Sequence, residues 1–306
     1  MRVLVTGAGG FLPSHLCDGL VERGYEVIGL FHTSQKRIKH LKNNKNFQAI
    51  KGDITNYDEI LESLKANPVD GIFHTAALHT PKEISSPFPY FEPNVRGTLD
   101  LLEACHSQNI KRVIYTSSMG VYGRAPKYLP VDEKHPVSPF DFYSLTKLQG
   151  EMLCELYASK YGFNVIILRC SGIFGPRREW GGVANFVKGA IQNKPPIVLS
   201  DIKWDTIYVK DAVSAHISAF ENIDKFQFEV FNIGRGEEIS TLDLANLIVS
   251  ISASTAKPEF SGDSRPFRFY FDITKARELL NFAPCPIEES LTEYIKLEAR
   301  SENSKR

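Results

Sequence analysis

Cysteine is scarce in the 306-residue sequence, and its five occurrences are scattered. They are Cys17, Cys105, Cys154, Cys170 and Cys285, an odd number without a Cys-x-x-Cys pair. A disulfide framework needs paired cysteines, and a structural zinc site needs clustered ones. We therefore expect reduced thiols, a cytoplasmic protein and no metal site.

The sequence also lacks an apolar stretch long enough to span a bilayer, which takes about 20 residues. Because the first strand-like run begins at residue 3, we expect no signal peptide. Neither sign of charge is in excess, since Lys+Arg and Asp+Glu number 36 each. This balance indicates neither a nucleic-acid partner nor a membrane partner. The hydrophobic content of 42% is typical of a globular enzyme.

Strand-like apolar runs alternate with helical periodicity in the first half of the chain. The runs lie at 3–5, 27–30, 47–50, 71–74, 113–116 and 165–168, and the longer helices at 11–23, 91–108 and 142–161. This alternation predicts an α/β fold with a Rossmann-type, doubly wound parallel sheet. Pro93 should delay or kink the second of these helices. The third has a wide apolar side, which either a homodimer interface or ordinary core packing explains.

Glycine and proline interrupt this pattern after residue 170, as in Gly175-Pro176 and Gly181-Gly182. Two later runs, 206–209 and 230–233, have strand character, and we expect both to return to the main sheet. The predicted division is a dinucleotide-binding Rossmann domain at 1–170 joined by 205–235, a smaller C-terminal α/β substrate-binding region at 171–204 and 236–300, and a frayed tail at 301–306.

A glycine-rich turn, Gly7-Ala8-Gly9-Gly10, joins the first predicted strand to the first helix. Backbone N–H groups at such a helix start point outward with the positive end of the helix dipole, which suits a diphosphate. Pro13 stands where such a turn usually carries a third glycine. Proline is tolerated in a first helical turn, because its missing N–H has no intrahelical acceptor there. A tight turn without a ligand is the alternative.

Tyr143 and Lys147 lie four residues apart in the helix predicted at 142–161, so they share one helix face. We expect the ammonium to lower the pKa of the Tyr143 phenol, toward the range where it exchanges a proton with a sugar hydroxyl or carbonyl. Ser118 stands at the carboxyl end of a predicted strand, where open α/β sheets bind ligands. A functionless pair on the helix surface is the alternative for Tyr143 and Lys147.

Further motifs follow one another along nearly the whole chain. They are VTGAGGF, GDIT at 52–55, HTAA at 74–77, NVRGTLDLLEA at 94–104, YTSSMGVYG, YSLTK, LRCSGIFGPR at 168–177, DTIYVKDAV at 205–213 and NIGRGEEIS at 232–240. On these motifs the chain resembles the extended short-chain dehydrogenases/reductases of the nucleotide-sugar epimerase/dehydratase family. The resemblance implies a nucleotide-sugar substrate, NAD or NADP as the cofactor, and a homodimer.

The resemblance also implies roles for single residues. Tyr143 would be the acid/base, Ser118 would hydrogen-bond the reacting oxygen, and Lys147 would hold the nicotinamide ribose. The residues implied to bind the cofactor are Gly7, Gly10, Phe11, Asp53, Ile54, Ala76 and Ala77, together with Tyr143 and Lys147. We further expect cofactor contacts from Leu12, His32, Lys36, Arg37 and Asn94. The residues implied to bind the substrate are Ser118 and Arg265, and a surface salt bridge is the alternative for Arg265. Further candidates for substrate binding, for which loop packing is the alternative, are His79, the Arg177-Arg178 pair, Trp180 and Trp204.

One departure from the family concerns the cofactor. A member that binds NAD should offer an acidic residue at the end of its second strand to hold the ribose hydroxyls. Residues 29–37 read GLFHTSQKR here and contain no carboxylate. Lys36 and Arg37 would suit the 2′-phosphate of NADP, and a solvated basic loop explains them equally well.

A second departure concerns the reaction. Members that eliminate water resemble Thr-Asp-Glu where this chain has Ser118-Met119-Gly120, and neither Met119 nor Gly120 can transfer a proton. A dehydratase is therefore disfavoured, and a nucleotide-sugar 4-epimerase that works through a 4-keto intermediate is the leading hypothesis. An NADPH-dependent nucleotide 4-ketosugar reductase and a non-catalytic dinucleotide-binding protein are the alternatives.

Overall fold

The protein is described by a computed structural model that covers residues 1–79, 86–262 and 267–303. Its strands are β1 (Arg2–Thr6), β2 (Glu26–Phe31), β3 (Phe47–Lys51), β4 (Gly71–His74), β5 (Arg112–Ser118), β6 (Asn164–Cys170), β7 (Gly172–Phe174), β8 (Ile197–Val198), β9 (Lys203–Tyr208), β10 (Phe228–Ile233), β11 (Glu238–Ser240), β12 (Glu259–Phe260) and β13 (Arg268–Phe269).

The helices alternate with these strands. They are α1 (Phe11–Glu22), α2 (Tyr57–Ala66), α3 (Phe88–Phe91), α4 (Gly97–Ser107), α5 (Phe142–Tyr161), α6 (Gly182–Ile191), α7 (Val209–Glu221), α8 (Thr241–Ile251), α9 (Thr274–Leu280) and α10 (Ile287–Asn303). A π-helical segment, Glu92–Arg96, connects α3 to α4. Within the described ranges, no helix is both long and apolar enough to cross a membrane.

The main sheet has the strand order β10-β6-β5-β4-β1-β2-β3 in the described residues, and its seven strands are all parallel. This order confirms the predicted doubly wound sheet. The order reverses at β1, which pairs with β2 on one side and with β4 on the other. Loops that leave the carboxyl ends of β1 and β4 diverge at this point, and a ligand crevice opens between them.

Side chains of β1 alternate between two apolar layers that cover the sheet. Val3 and Val5 belong to the core that includes α1 and α7, whereas Leu4 belongs to the core that includes α2, α4 and α5. All three side chains are buried, as expected for a parallel strand with helices on both of its faces. The carboxyl edge of the sheet is thereby held in place by packing on two sides.

Local sequence signals explain where the helices begin and end. Pro13 is buried in the first turn of α1, so the prediction that this helix tolerates it is confirmed. The helix predicted at 142–161 is α5, because Asp141 caps its first turn and Gly162 ends it with a left-handed φ of 66°. The helix predicted at 91–108 is interrupted at Pro93, and the π-helical segment absorbs the missing N–H.

A smaller region covers the carboxyl edge of the main sheet. Its strands have the order β11-β9-β13, with β7 paired to β9, and β12 pairs with β8 in a separate ribbon. We expect both 206–209 and 230–233 to return to the main sheet, but only β10 does so. Because β10 occupies the edge beside β6, β9 pairs instead with β7, which leaves β6 after the single residue Ser171.

Candidate active site

A cleft of about 970 Å³ lies between the carboxyl edge of the main sheet and the smaller region. It runs from the glycine turn after β1 to Trp204 of β9 and Phe267. The predicted site residues that line it are Gly7, Gly10, Phe11, Leu12, Arg37, Ala76, Ala77, His79, Ser118 and Tyr143. Side chains from distant parts of the sequence therefore share one space, since parallel strands end at the same edge of the sheet.

The glycine turn packs closely against the loop after β4. A Cβ on Gly7 would lie 2.9 Å from Ala76 Cα, and the φ of +71° at Gly7 is one that favours glycine. Thr6 Oγ1 accepts hydrogen bonds from the backbone N–H groups of Thr75 and Ala76 and so holds that loop in place. Gly10 begins α1 without a side-chain cap, which leaves the positive end of a 12-residue helix at the cleft. This cradle fits the diphosphate of a dinucleotide.

Ser118 and Tyr143 reach the cleft from two elements that approach each other closely. Ser118 ends β5, where its Oγ accepts a hydrogen bond from Gly120 N at 3.1 Å. A Cβ on Gly120 would lie 2.2 Å from Ser144 Oγ, so only glycine lets the end of β5 come this close to α5. The hydroxyl of Ser118 and the phenol of Tyr143 thus line one part of the cleft.

Lys147 lies one turn after Tyr143 on α5 and is buried beneath the cleft rather than in its wall. Its Nζ is 4.0 Å from the centroid of the Tyr115 ring. Burial lowers the pKa of Lys147 to about 8. Burial also raises the pKa of Tyr143, while the positive charge of Arg178 acts in the opposite direction. This corrects the expectation that Lys147 lowers the Tyr143 pKa, because its ammonium faces Tyr115.

A row of side chains in contact connects Tyr143 to Phe11, the residue after the glycine turn. The Tyr143 ring stacks on His79 with centroids 4.3 Å apart, and His79 contacts Trp180 at 5.0 Å. The Arg178 guanidinium carbon lies 4.5 Å from the Trp180 centroid and 5.4 Å from that of Phe11. The loop between β7 and α6 therefore forms one wall of the cleft beside Tyr143.

Arg177 faces away from this wall, contrary to its predicted substrate role. Its Nη2 lies 2.7 Å from Asp18 Oδ2, in a charged groove of about 1,110 Å³ along α1, α6, α7 and α10. Lys36 lines the same groove. Arg177 has a φ of +67°, which turns it toward α1 and leaves Arg178 in the cleft. The sequence signal was the Arg-Arg pair, but it did not show which of the two enters the site.

Arg37 lies between the cleft and the groove, and protein acceptors occupy its guanidinium. It donates to Gly9 O at 3.2 Å and to Arg177 O at 3.1 Å, and it pairs with Glu179 at 3.1 Å. A guanidinium with three such partners is not free to receive a 2′-phosphate. The structure therefore does not favour NADP through Arg37.

The remaining predicted residues lie outside the cleft lining. His32 and Asp53 pair at 3.5 Å beyond the ends of β2 and β3. Ile54 is buried against Gly97, and Asn94 hydrogen-bonds both backbone groups of Leu78. Arg265 lies outside the described residues. In the ranges that are described, no group of three or more His, Cys, Asp or Glu side chains could hold a metal ion.

Comparisons with known proteins agree with this architecture. Residues 3–234 match the NAD dependent epimerase/dehydratase family. A putative UDP-glucose 4-epimerase from Methanocaldococcus jannaschii is 34% identical over 309 residues, which cover 96% of each chain.

Two solved structures are also similar over nearly their full length. The UDP-glucose 4-epimerase of Thermotoga maritima with UDP-glucose is 29% identical with a TM-score of 0.89, over 98% of this chain and 99% of that one. The UDP-glucuronic acid 4-epimerase of Bacillus cereus with UDP-glucuronic acid and NAD is 32% identical with a TM-score of 0.87, over 97% and 99%. The chain therefore belongs to the NAD dependent epimerase/dehydratase family.

Proposed function

We propose that this protein is a nucleotide-sugar 4-epimerase that uses bound NAD and acts on a UDP-sugar. The observation that carries the proposal is the cleft itself, in which the glycine turn, Ser118 and Tyr143 face one another. The relative from Methanocaldococcus jannaschii and the two solved structures, which are named as 4-epimerases of UDP-glucose or UDP-glucuronic acid, support it further.

The chain's own residues provide binding and proton transfer. Gly7, Gly10 and the first turn of α1 would hold the cofactor diphosphate, and Lys147 would hold the nicotinamide ribose. NAD supplies, when bound, the hydride acceptor and donor that inversion at C4 requires. Tyr143 would remove and return the proton of the C4 hydroxyl, while Ser118 hydrogen-bonds the same oxygen.

Several contacts prepare Tyr143 for this task. The stack on His79 fixes the plane of the phenol ring. Burial lowers the pKa of His79 to about 4, so that ring is neutral at pH 7 and does not compete for the proton. Burial raises the pKa of Tyr143, and the positive charge of Arg178 opposes that rise by favouring the phenolate, the form that accepts a proton from a hydroxyl.

The test begins with protein as it is purified. Denaturation followed by mass spectrometry should release near-stoichiometric NAD, because an epimerase regenerates its cofactor in every turnover. Proton NMR should then show UDP-glucose or UDP-glucuronic acid converting to its C4 epimer without added cofactor. An empty protein that consumes NADPH with a 4-ketosugar would contradict the proposal and favour the reductase. Bound NAD without inversion of any UDP-sugar would also contradict it.

We propose in addition that the protein is a homodimer. Apolar side chains remain exposed along α4 and α5, which pack side by side: Leu99 is 38% exposed, Met152 61% and Leu156 46%. A second copy of this surface would cover them. Light scattering should give twice the 34.4 kDa chain mass, and Leu156→Glu should lower it toward one chain. A cytoplasmic location is supported by the five free cysteines.

A further inference from the structure

Arg178 enters the cleft with its side chain fixed by several contacts. Its Nε donates to Trp180 O at 3.1 Å and its Nη1 donates to Ile173 O at 2.9 Å. The guanidinium carbon also lies 4.5 Å from the Trp180 ring centroid and 5.4 Å from that of Phe11. These bonds engage two of the three guanidinium nitrogens, and the third, Nη2, also carries N–H donors.

The charge of Arg178 is not balanced by a carboxylate in the described part of the chain. Arg37 pairs with Glu179 at 3.1 Å and Arg177 pairs with Asp18 at 2.7 Å, whereas no described acidic group lies within 4.0 Å of Arg178. Arg178 is partly buried, and the loss of hydration lowers its pKa. A cation that is partly buried without an acidic partner is unfavourable unless a ligand supplies the negative charge.

The position of Arg178 indicates which anion this is. Its guanidinium contacts Phe11, the first residue of α1 after the glycine turn, and it also contacts Trp180. Trp180 in turn contacts His79, whose ring stacks on Tyr143. An anion bound here would lie between the dinucleotide cradle and the proton-transfer residue. If the proposed function holds, both molecules that meet in this cleft carry a diphosphate.

We propose that Arg178 is a diphosphate-binding residue of the cleft. A guanidinium matches phosphate oxygens in geometry as well as charge, and its hydrogen bonds to Trp180 O and Ile173 O hold it in one orientation before the ligand arrives. The inference rests on the proposed function for the identity of the ligands. The diphosphate has two candidate sources, the dinucleotide and the nucleotide sugar, and the experiment distinguishes them.

The experiment compares Arg178→Gln and Arg178→Lys with wild type. Arg23→Gln is the control, since it removes one positive charge from an arginine that pairs with Glu221 on the exterior. NAD content is measured by mass spectrometry after denaturation, and UDP affinity by calorimetry at low and high salt. Thermal unfolding checks that each variant is folded. Arg178→Lys keeps the positive charge but loses the paired N–H donors of the guanidinium. It replaces Arg178→Gln in the comparison if that variant does not fold.

We expect Arg178→Gln to bind UDP about 10- to 100-fold more weakly, as for the loss of a hydrogen bond to a charged group. Arg178→Lys should fall in between, and Arg23→Gln should match wild type. Weakened UDP binding with NAD retained supports the nucleotide sugar as the source. Lost NAD with UDP affinity unchanged supports the dinucleotide. Unchanged values for both ligands overturn the proposal.

The outcome is separable from that of the proposed function. If wild-type protein binds UDP through Arg178 but inverts no UDP-sugar, the 4-epimerase assignment fails and the diphosphate role of Arg178 stands. If wild-type protein inverts a UDP-sugar and Arg178→Gln binds both ligands as wild type does, the diphosphate role of Arg178 fails and the 4-epimerase assignment stands. A wild-type protein that binds neither UDP nor NAD overturns both proposals.

Discussion

Replacing Lys147 with methionine should stabilise the fold while removing function. Burial lowers the pKa of Lys147 from 10.5 to about 8. At 1.36 kcal/mol per pKa unit, this difference means that the buried ammonium destabilises the folded state by about 3 kcal/mol near pH 7. The cation–π contact with Tyr115, at 4.0 Å, offsets about 1 kcal/mol of this effect. We expect Lys147→Met to gain about 1–3 kcal/mol of unfolding free energy at pH 7.

The pH dependence gives the sharper measurement. The folded pKa lies below the unfolded one, so the destabilisation is complete below about pH 8 and disappears as the pH rises toward 10.5. Wild type should therefore gain stability relative to Lys147→Met between about pH 8 and pH 10. Urea unfolding followed by tryptophan fluorescence at several pH values measures the difference between the two proteins.

The control is Lys188→Met, which removes an exposed lysine from α6. Its stability should differ from wild type by a constant amount across the same pH range. The reasoning is refuted if Lys147→Met is less stable than wild type at pH 7, or if the difference between them does not change with pH. Either result would mean that the folded protein compensates the Lys147 charge.

Three further substitutions test the site and its support. Tyr143→Phe should lower kcat about 10²- to 10⁴-fold with NAD content unchanged, and near-normal turnover would contradict the proton-transfer role. Gly7→Ala should destabilise the protein by more than Gly24→Ala, since both have positive φ but only Gly7 lies against neighbouring main chain; equal losses in urea unfolding would contradict this. Glu151→Ala should lower the unfolding free energy by about 3–5 kcal/mol, because Arg169, 2.6 Å away, is left unpaired in the interior; a loss below about 1 kcal/mol would contradict this.

The main sheet could be predicted from the sequence because local patterns determine it. The apolar runs at 3–5 and 71–74 lie within β1 and β4, which pair in the sheet. The bounds of α5 follow from Asp141 and Gly162, two residues whose chemistry acts within one turn of the chain. The partner of β9 could not be predicted in this way. That choice depends on β10 occupying the edge of the sheet, which no local pattern encodes.

For the candidate site, residue types were easier to predict than side-chain directions. The spacing of Tyr143 and Lys147 correctly gives one helix face, but it does not show that the ammonium passes beneath the cleft to the Tyr115 ring. Lys147 takes this path because α5 packs against β5, which brings Tyr115 under it. Spacing along a helix thus identifies the neighbours on that helix, whereas the electrostatic partner comes from the strand below.

The loop between β7 and α6 shows how ion pairs outside the cleft determine what lies inside it. Arg177 binds Asp18 on α1, and Arg37 joins Glu179 of the loop to Gly9 of the glycine turn. These ion pairs hold Arg177 and Glu179, the two chain neighbours of Arg178, in place, and Arg178 extends into the cleft. Arg37, one of the basic residues after β2, therefore has a structural role that does not depend on a 2′-phosphate. Arg37 therefore does not support NADP as the cofactor, even though the end of β2 lacks an acidic residue. One reason to prefer the NADPH-dependent reductase is thereby removed.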